Sequence, residues 1–392
     1  MRRNQILYMI LLISSLILVS YHGGKISYTL FYLCLCIPLA SLTYIFYVYK
    51  RLQFYQHTPS KIVEKGEILP YEVVFRNEDF IPFTHVKVKF YSEQCKVEES
   101  HKVTEYYLLP GDEKKLHTTL RCFYRGDYNV GVKEIEIMDF LYLFKLTYPV
   151  MWGLELSVLP KVIHLKNLNI LSTQEDPKVH YANVSENMIL ENDIRRYQPG
   201  DSLKHIHWKA VARQREFLTR QVSSEVKRNY IILMDRTNVE VEGYSKLAVE
   251  DKIIEIMLAI TYYLQSTKVG VSIGYEDNGL QEYDILNDEV FGRFYQSSGQ
   301  IHFNGNQSLA IVLEQYMMKH PKLNFYILVT HMLTEHLYDG IVTALAKGQQ
   351  IVLLYVIKEP VENDHPLIYK LGAIGVKVYC ISPETSLEEL IG

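Results

Sequence analysis

Two long apolar runs open the chain. Residues 6–20 contain no charge, and after a polar break at residues 22–25 the second run, residues 26–49, contains none either. The second run is long enough to cross about 30 Å of hydrocarbon at ~1.5 Å per residue, and the first is at the short end of that range. No cleavage site for a signal peptide separates them from a mature region. We therefore predict a transmembrane hairpin over residues 1–51.

The cations that flank these runs predict their orientation. Arg2 and Arg3 precede the first run, Lys50 and Arg51 follow the second, and Lys25 lies in the turn between them. An excess of Lys and Arg is typical of the cytoplasmic side of a span. We expect a protein of the cell membrane with two spans in the lipid bilayer, and with both termini and all other domains in the cytoplasm.

Between residues 56 and 160, apolar and polar positions alternate over short segments, as they do in half-buried strands. Five such segments follow one another: residues 68–76, 86–91, 103–109, 115–122 and 128–138. Turn residues separate several of them. A series of short strands at this spacing predicts an antiparallel β-sandwich-like domain over residues 56–160.

The pattern changes at residue 229, where buried apolar segments begin to alternate with helical periods. Strands are predicted at residues 230–234, 269–275, 325–329, 351–357 and 376–381, and helices at residues 244–267, 308–319 and 335–346. This alternation predicts a doubly wound parallel sheet over residues 229–392, and hence an α/β fold class.

Residues 161–228 connect these two domains and hold the most distinctive segment of the chain. Pro199 and Gly200 predict a sharp turn, after which Asp201 is placed to cap a short helix. The candidate partner-binding or interdomain residues of this segment are Arg195, Arg196, Tyr197, Pro199, Gly200, Asp201, Ile206, Trp208, Lys209 and Arg213. Two roles are open: the segment clamps the domains together through its arginines and tryptophan, or it docks a partner.

The same segment resembles the signature of the DUF58 family, which is Arg-x-Tyr-x-Pro-Gly-Asp followed by Ile-x-Trp-Lys-x-x-Ala-Arg. Residues 138–144 are similar to the Asp-Pro-Phe-Gly-Leu-Phe turn of that family but lack its Pro and its Gly, so we expect a reshaped turn. The resemblance implies a von Willebrand factor A-like domain over residues 229–392. It also implies two partners: a MoxR-type AAA+ ATPase, and a membrane transglutaminase-like protein, beside which family members are often encoded.

A metal loop is the main chemical candidate. Residues 235–239 resemble the Asp-x-Ser-x-Ser loop of von Willebrand factor A domains, with Asp235 and Thr237 at two of its ligand positions. Val239 cannot supply the third oxygen, and His331 stands where a later strand usually carries an acid. We expect a degenerate site without metal. The alternative is a metal-dependent enzyme or ligand-binding module centred on Asp235.

Other chemistry finds little support in the sequence. The net charge of −4 and the absence of a nucleic-acid motif argue against nucleic-acid partners. There is neither a Gly-x-Ser-x-Gly motif nor a glycine-rich phosphate loop, and the five cysteines have no CxxC spacing. We therefore expect no enzyme and no cofactor, and instead a membrane-anchored adaptor that helps the ATPase to assemble or mature client proteins.

Overall fold

The computed structural model describes residues 2–98, 105–151, 153–168, 190–196, 216–222, 229–241, 243–321, 324–357 and 365–387. Contacts divide the chain into two compact units. The first comprises Met1–Lys161 and Phe294–Ile301, and the second comprises Val162–Arg293 and His302–Gly392. The described residues form two N-terminal apolar helices, several β-sheets and further helices. The predicted mixed α/β class is therefore confirmed.

The first unit begins with two apolar helices, α1 (Arg2–His22) and α2 (Lys25–Arg51). Their most apolar windows have mean hydropathies of 1.7 and 1.9, and only 6% and 17% of these windows is buried inside the protein. The Tyr8 hydroxyl donates a hydrogen bond to the carbonyl of Cys34 at 2.7 Å, so the helices lie side by side. Their length and outward apolar surface are consistent with the predicted membrane hairpin.

Strands fill the rest of the first unit. They are β1 (Gln53–His57), β2 (Ile62–Glu64), β3 (Ile68–Arg76), β4 (Phe83–Phe90), β5 (Cys95–Val97), β6 (Glu105–Leu108), β7 (Glu113–Cys122), β8 (Gly126–Val130), β9 (Val132–Met138), β10 (Lys145–Pro149) and β11 (Leu154–Leu159). Two four-stranded antiparallel sheets, β1-β3-β7-β5 and β10-β9-β4-β6, accompany a smaller sheet, β2-β11-β8. Alternate side chains of these strands share one core, as the period-two pattern predicts.

A glycine divides one predicted strand into two. Residues 128–138 form β8 and β9, separated by Gly131, whose φ of 80° suits a residue without Cβ. A Cβ at Gly131 would clash with the Tyr71 hydroxyl and with Oε1 of Gln56. The Tyr71 hydroxyl donates to that Gln56 oxygen at 2.8 Å. The bend is therefore part of a packed polar contact inside the β-domain.

The last turns of α2 belong to the core of the β-domain. Val48 is fully buried in the same apolar cluster as Val86 and Ile137. The Tyr44 hydroxyl donates to the carbonyl of Pro82 at 2.8 Å. Since β1 begins two residues after α2 ends, helix and sheet are joined directly.

The second unit contains a two-stranded ribbon and a six-stranded sheet. The ribbon pairs β12 (Leu190–Arg196) with β13 (Leu218–Val222). The sheet strands are β14 (Asn229–Met234), β15 (Val271–Glu276), β16 (Leu280–Ile285), β17 (Asn324–Thr330), β18 (Gln350–Val356) and β19 (Lys377–Ile381). Their order is β16-β15-β14-β17-β18-β19, and every pair is parallel except β15 with β16.

In the described part of the chain, the helices that follow β14 are α3 (Tyr244–Ser266), α4 (Asp288–Ser298), α5 (Leu309–Lys319), α6 (Glu335–Ala346) and α7 (Pro366–Ala373). Helices α3 and α5–α7 contact the sheet, and the residues of α4 from Phe294 onward belong to the first unit. Ile231 and Leu233 pack in one cluster with side chains of α5, α6 and α7. Ile232 points to the opposite face and is also buried, on a sheet that α3 contacts through β14, β15, β17 and β18. The long helix and the parallel strands follow the predicted pattern, whereas β16, α4 and α7 were not predicted.

Candidate functional site

The candidate site of the second unit lies at the carboxyl ends of β14 and β17. Numbered along the chain, the sheet has the order 3-2-1-4-5-6, so the order reverses between these two strands. Open α/β sheets bind ligands in the crevice at such a reversal. Asp235 directly follows β14, and Thr330 and His331 stand at the end of β17. Strand order therefore brings together residues that are 95 positions apart.

The Asp235 carboxylate is engaged on both oxygens. Oδ1 accepts hydrogen bonds from the Thr237 amide at 3.0 Å and the Thr237 hydroxyl at 2.7 Å. Oδ2 accepts one from the Thr330 hydroxyl at 2.6 Å. The side chain of Asp235 is only 3% exposed. Because burial of an ionised carboxylate is costly without such donors, this hydrogen bonding accounts for the shape of the loop.

The remaining residues of the predicted metal loop occupy different environments. Val239 is buried, and its side chain offers no oxygen. His331 is also buried, and its Nδ1 lies 3.8 Å from Oδ2 of Asp235, beyond the hydrogen-bond range for that pair of atoms. Among the described residues, no group of three or more His, Cys, Asp and Glu side chains is placed to hold a metal ion.

Two residues of this site were missed in the sequence. Thr330 was missed because the resemblance to a metal loop assigns a ligand role only to the acid position, which His331 occupies. Its hydroxyl also accepts a hydrogen bond from the Met332 amide at 3.0 Å, so it links the end of β17 to Asp235. Arg236 was missed because its buried guanidinium makes contacts far away in sequence.

Arg236 connects the loop after β14 to two neighbouring segments. Its Nε donates to the carbonyl of His302 at 2.9 Å, and its Nη1 donates to the carbonyl of Glu276 at 2.7 Å. Its Nη2 donates to Oδ1 of Asn304 at 2.9 Å, and the guanidinium lies 5.3 Å from the centre of the Tyr275 ring. Together with an ion pair from Nη1 to Oδ1 of Asp277 at 3.2 Å, these contacts compensate for the burial of a cation that is only 5% exposed. Arg236 thus ties the loop after β14 to the end of β15 and to the residues that follow α4.

A small cavity lies at the opposite, amino-terminal edge of the sheet. Its volume is about 250 Å³, and its lining residues are Ile231, Ser272, Tyr316, Lys319, His320, Pro321 and Asn324. Beside it, the Glu282 carboxylate accepts hydrogen bonds from Nζ of Lys319 at 2.5 Å and Nε2 of His320 at 2.9 Å. Burial acts to raise the pKa of Glu282, but the interactions with Lys319 and His320 outweigh it and the pKa is lowered.

Most of the distinctive connector segment lies outside the described residues. This applies to Tyr197, Pro199, Gly200, Asp201, Ile206, Trp208, Lys209 and Arg213. Arg195 and Arg196 are the last two residues of β12, and they pair with Thr219 and Leu218 of β13. Their role as clamp or docking residues stays a prediction.

Solved structures with local similarity to the chain include three from bacteria and an archaeon. Alpha-2-macroglobulin from Salmonella is 14% identical with a TM-score of 0.23, and the match covers 29% of this chain and 7% of that one. The CARDB domain of a Pyrococcus furiosus protein is 18% identical with a TM-score of 0.18, over 27% of this chain and 91% of the domain. The secreted serine protease VesC from Vibrio cholerae is 12% identical with a TM-score of 0.20, and the match covers 31% of this chain and 26% of that one. Similarities this weak carry no functional argument.

The family comparison concerns the connector and the first part of the sheet. No curated protein matches the chain. The matching stretch runs from the end of β12 through the Asp235 loop and α3 into β16. Residues 193–281 match the family model described as "Protein of unknown function DUF58", which supports the resemblance found in the connector segment.

Proposed function

We propose that this protein is a membrane-anchored cytoplasmic adaptor that works with a MoxR-type AAA+ ATPase in the assembly or maturation of client proteins. The observation that carries the proposal is the internally bonded carboxylate of Asp235. Both of its oxygens are engaged by Thr237 and Thr330, so the rim of the crevice is polar and its carboxylate is already bonded. Such a rim favours docking of a partner over metal chemistry.

The architecture of the second unit supports a von Willebrand factor A-like domain in this role. Its strands have the order 3-2-1-4-5-6 with one antiparallel edge strand, and α3 and α5–α7 cover opposite faces. The first unit supports the anchoring role through α1 and α2. Both helices place their flanking cations, Arg2, Arg3, Lys50 and Arg51, at one end of the hairpin, which favours a cytoplasmic location for the domains.

Capture of the ATPase from membranes tests the proposal. Full-length protein is crosslinked in membranes with and without nucleotide, and the ATPase and any transglutaminase-like protein are identified in the pull-down. Arg196→Ala is the test variant, and Arg293→Ala, whose side chain is 71% exposed on α4, is the matched control. We expect capture to be lost in Arg196→Ala and retained in Arg293→Ala, with both variants folded.

Other outcomes of the capture experiment have distinct meanings. A lower unfolding temperature for Arg196→Ala, with capture in proportion to folded protein, would assign the segment to joining domains. An Arg196→Ala variant that is fully stable and fully competent would contradict both roles for this residue. Absence of the ATPase from every pull-down would contradict the adaptor proposal.

The alternative function is a metal-dependent enzyme or ligand-binding module at the same crevice. It is favoured by the convergence of the Asp235 carboxylate with the hydroxyls of Thr237 and Thr330, since oxygen ligands suit Mg²⁺ and Mn²⁺. Calorimetry of the full-length protein with either ion tests it. We expect no stoichiometric binding, whereas one-to-one binding that is lost in Asp235→Asn would favour the enzyme.

A further inference from the structure

Two loops of the β-domain contact the membrane hairpin, and we call them the anchor loops: residues 79–82 between β3 and β4, and residues 139–144 between β9 and β10. The side-chain amide of Asn4 donates to the carbonyl of Leu141 at 3.0 Å, and that of Gln5 donates to the carbonyl of Leu143 at 2.7 Å. Together with the bond from Tyr44 to Pro82, these contacts attach both anchor loops to the helices.

The anchor loops expose large apolar side chains. Phe80 is 96% exposed, Phe140 is 49% exposed, and Ile81 and Leu141 are 39% and 38% exposed. Neighbouring apolar side chains are seldom left in water without a partner, and such a patch is typical of an interaction surface. The patch is continuous with the outward-facing apolar surface of the hairpin, since the Phe140 ring lies 5.7 Å from the Tyr44 ring of α2.

Buried polar residues hold both anchor loops in shape. Asp139 is fully buried, and its carboxylate accepts hydrogen bonds from the amides of Leu141 at 3.1 Å and Phe144 at 2.7 Å. Asn77 is fully buried as well, and its side-chain amide donates to the carbonyl of Ile81 at 2.9 Å. The apolar tips are therefore held outward by fixed backbone geometry.

The contacts place the anchor loops at the edge of the hydrocarbon layer. Helix α2 has 27 residues, and about 20 residues suffice to cross ~30 Å of hydrocarbon. Counting about 20 residues from Ile26 reaches Ile45, one residue beyond Tyr44. On α1, Asn4 and Gln5 directly precede the first apolar run. Both helices thus bring the anchor loops to the same depth.

We propose that the tips of the anchor loops, Phe80, Ile81, Phe140 and Leu141, insert into the interfacial layer of the bilayer. Phe and Leu side chains are typical of the apolar face that a peripheral segment buries at the boundary between head groups and acyl chains. The β-domain then lies directly on the membrane in a fixed orientation. The proposal rests on membrane anchoring by α1 and α2, and it adds a second, peripheral contact to the two spans.

Depth-dependent fluorescence quenching tests this contact. Full-length protein is reconstituted in liposomes whose lipids carry bromine near the head-group end of the acyl chains. Phe80→Trp is the test variant. Ile62→Trp is the matched control, because Ile62 is 61% exposed in β2, near the end of β3 remote from the anchor loop. Unsubstituted protein gives the background of Trp152 and Trp208.

We expect the emission added by Phe80→Trp to be blue-shifted and to lose most of its intensity in brominated lipid, while that added by Ile62→Trp is unchanged. An alkaline carbonate wash of the liposomes separates this contact from the anchoring. The protein could resist the wash while the emission added by Phe80→Trp is quenched no more than that added by Ile62→Trp. In that case the anchor loops do not insert, whereas the two spans still anchor the protein. Release of the protein by the wash would overturn the anchoring and this proposal together. Phe140→Trp repeats the test for the second loop.

Discussion

At the scale of single residues, Asp235 shows that neighbouring hydrogen-bond donors can occupy the carboxylate oxygens that would otherwise coordinate a metal ion. Its sequence context resembles a metal loop, but its oxygens are bonded to Thr237 and Thr330 and it is almost completely buried. The same atoms that would coordinate a cation instead close the loop on itself. Burial makes each of these hydrogen bonds important, since a buried acceptor without a donor is costly.

Thr330→Val tests the closed loop. The substitution keeps the shape of the side chain but removes the donor to Asp235 and the acceptor of the Met332 amide. We expect the free energy of unfolding to fall by about 1–3 kcal/mol. Denaturant titration of the full-length protein in detergent, followed by circular dichroism, measures this.

The control for Thr330→Val is Thr343→Val. Thr343 is an exposed residue of α6 whose hydroxyl donates to the carbonyl of Asp339 at 2.9 Å. We expect this variant to change the free energy of unfolding by less than about 0.5 kcal/mol. Equal effects of the two substitutions would contradict the structural importance of the Asp235 network.

At the scale of elements, the packing of α5 on the sheet depends on one small residue. Gly274 lies in the middle of β15, where a Cβ would stand 2.7 Å from Cδ2 of Leu233 and 3.0 Å from Cε2 of Tyr316. Tyr316 is a fully buried residue of α5. The missing side chain therefore provides the space into which the tyrosine ring of the helix packs.

Gly274→Ala tests this packing. Because the neighbours are themselves buried, we expect the added methyl group to lower the free energy of unfolding by about 1–3 kcal/mol. Gly292→Ala on α4 is the control, since a Cβ there meets no atom within 4 Å. Alanine also favours a helix by ~0.5–1 kcal/mol relative to glycine. Thermal unfolding of both variants distinguishes them, and a neutral Gly274→Ala would contradict the packing argument.

The ion pairs that join α5 to β16 predict a dependence of stability on pH. The pKa of Glu282 is lowered in the folded protein, because Lys319 and His320 outweigh the effect of burial. A lowered folded pKa means that the contribution of Glu282 is present above its unfolded pKa of about 4.3 and is lost as the pH falls through the folded pKa.

Glu282→Gln removes this contribution. We expect the variant to be less stable than the parent by about 0.5–1 kcal/mol at neutral pH, since Lys319 is half exposed and the pair is partly screened. The difference should disappear in acid, where the glutamate of the parent is protonated. Unfolding temperatures of both proteins between neutral pH and acid measure it, and a difference that is independent of pH would be evidence against the ion pairs.

At the scale of the whole molecule, the hairpin and the β-domain form one unit. Val48 of α2 is buried in the core of the β-sheets, and the anchor loops contact both helices. Under the proposed anchoring by α1 and α2, a domain attached in this way lies close to the membrane. The cations at the ends of the two helices predict the side of the membrane on which it lies.

We expect the domains to be cytoplasmic, and cysteine labelling in intact cells measures this. Tyr55→Cys, at an exposed position of β1, should react with a membrane-impermeant maleimide only after the cells are permeabilised. Gly24→Cys, in the turn of the hairpin, should react from outside. A reporter fused to the carboxyl terminus should be active in the cytoplasm. Labelling of Tyr55→Cys from outside would reverse the orientation and move the adaptor function to the cell exterior.

Most long elements could be predicted from the sequence, both in type and in approximate bounds. Residues 68–76 and 335–346 were predicted as a strand and a helix and are β3 and α6. Local periodicity is sufficient in such cases because it records which face of an element is buried. The same reasoning missed β16, whose six residues are mostly half-buried at a sheet edge and show little alternation. Because the side chains on the two faces of β16 differ little in burial, its alternation of apolar and polar residues is weak.

For the candidate site, the sequence indicated Asp235, Thr237 and His331 but missed Thr330 and Arg236. Tertiary structure alone decided that the Thr330 hydroxyl bonds to Asp235 and that Val48 belongs to a β-sheet core. It also decided that Tyr142, at the glycine position of the resembled family turn, has a left-handed φ of 55°. These outcomes depend on which strands and helices become neighbours. Hydrophobic periodicity reports only whether a face is buried, so it does not specify the partner against which that face is packed.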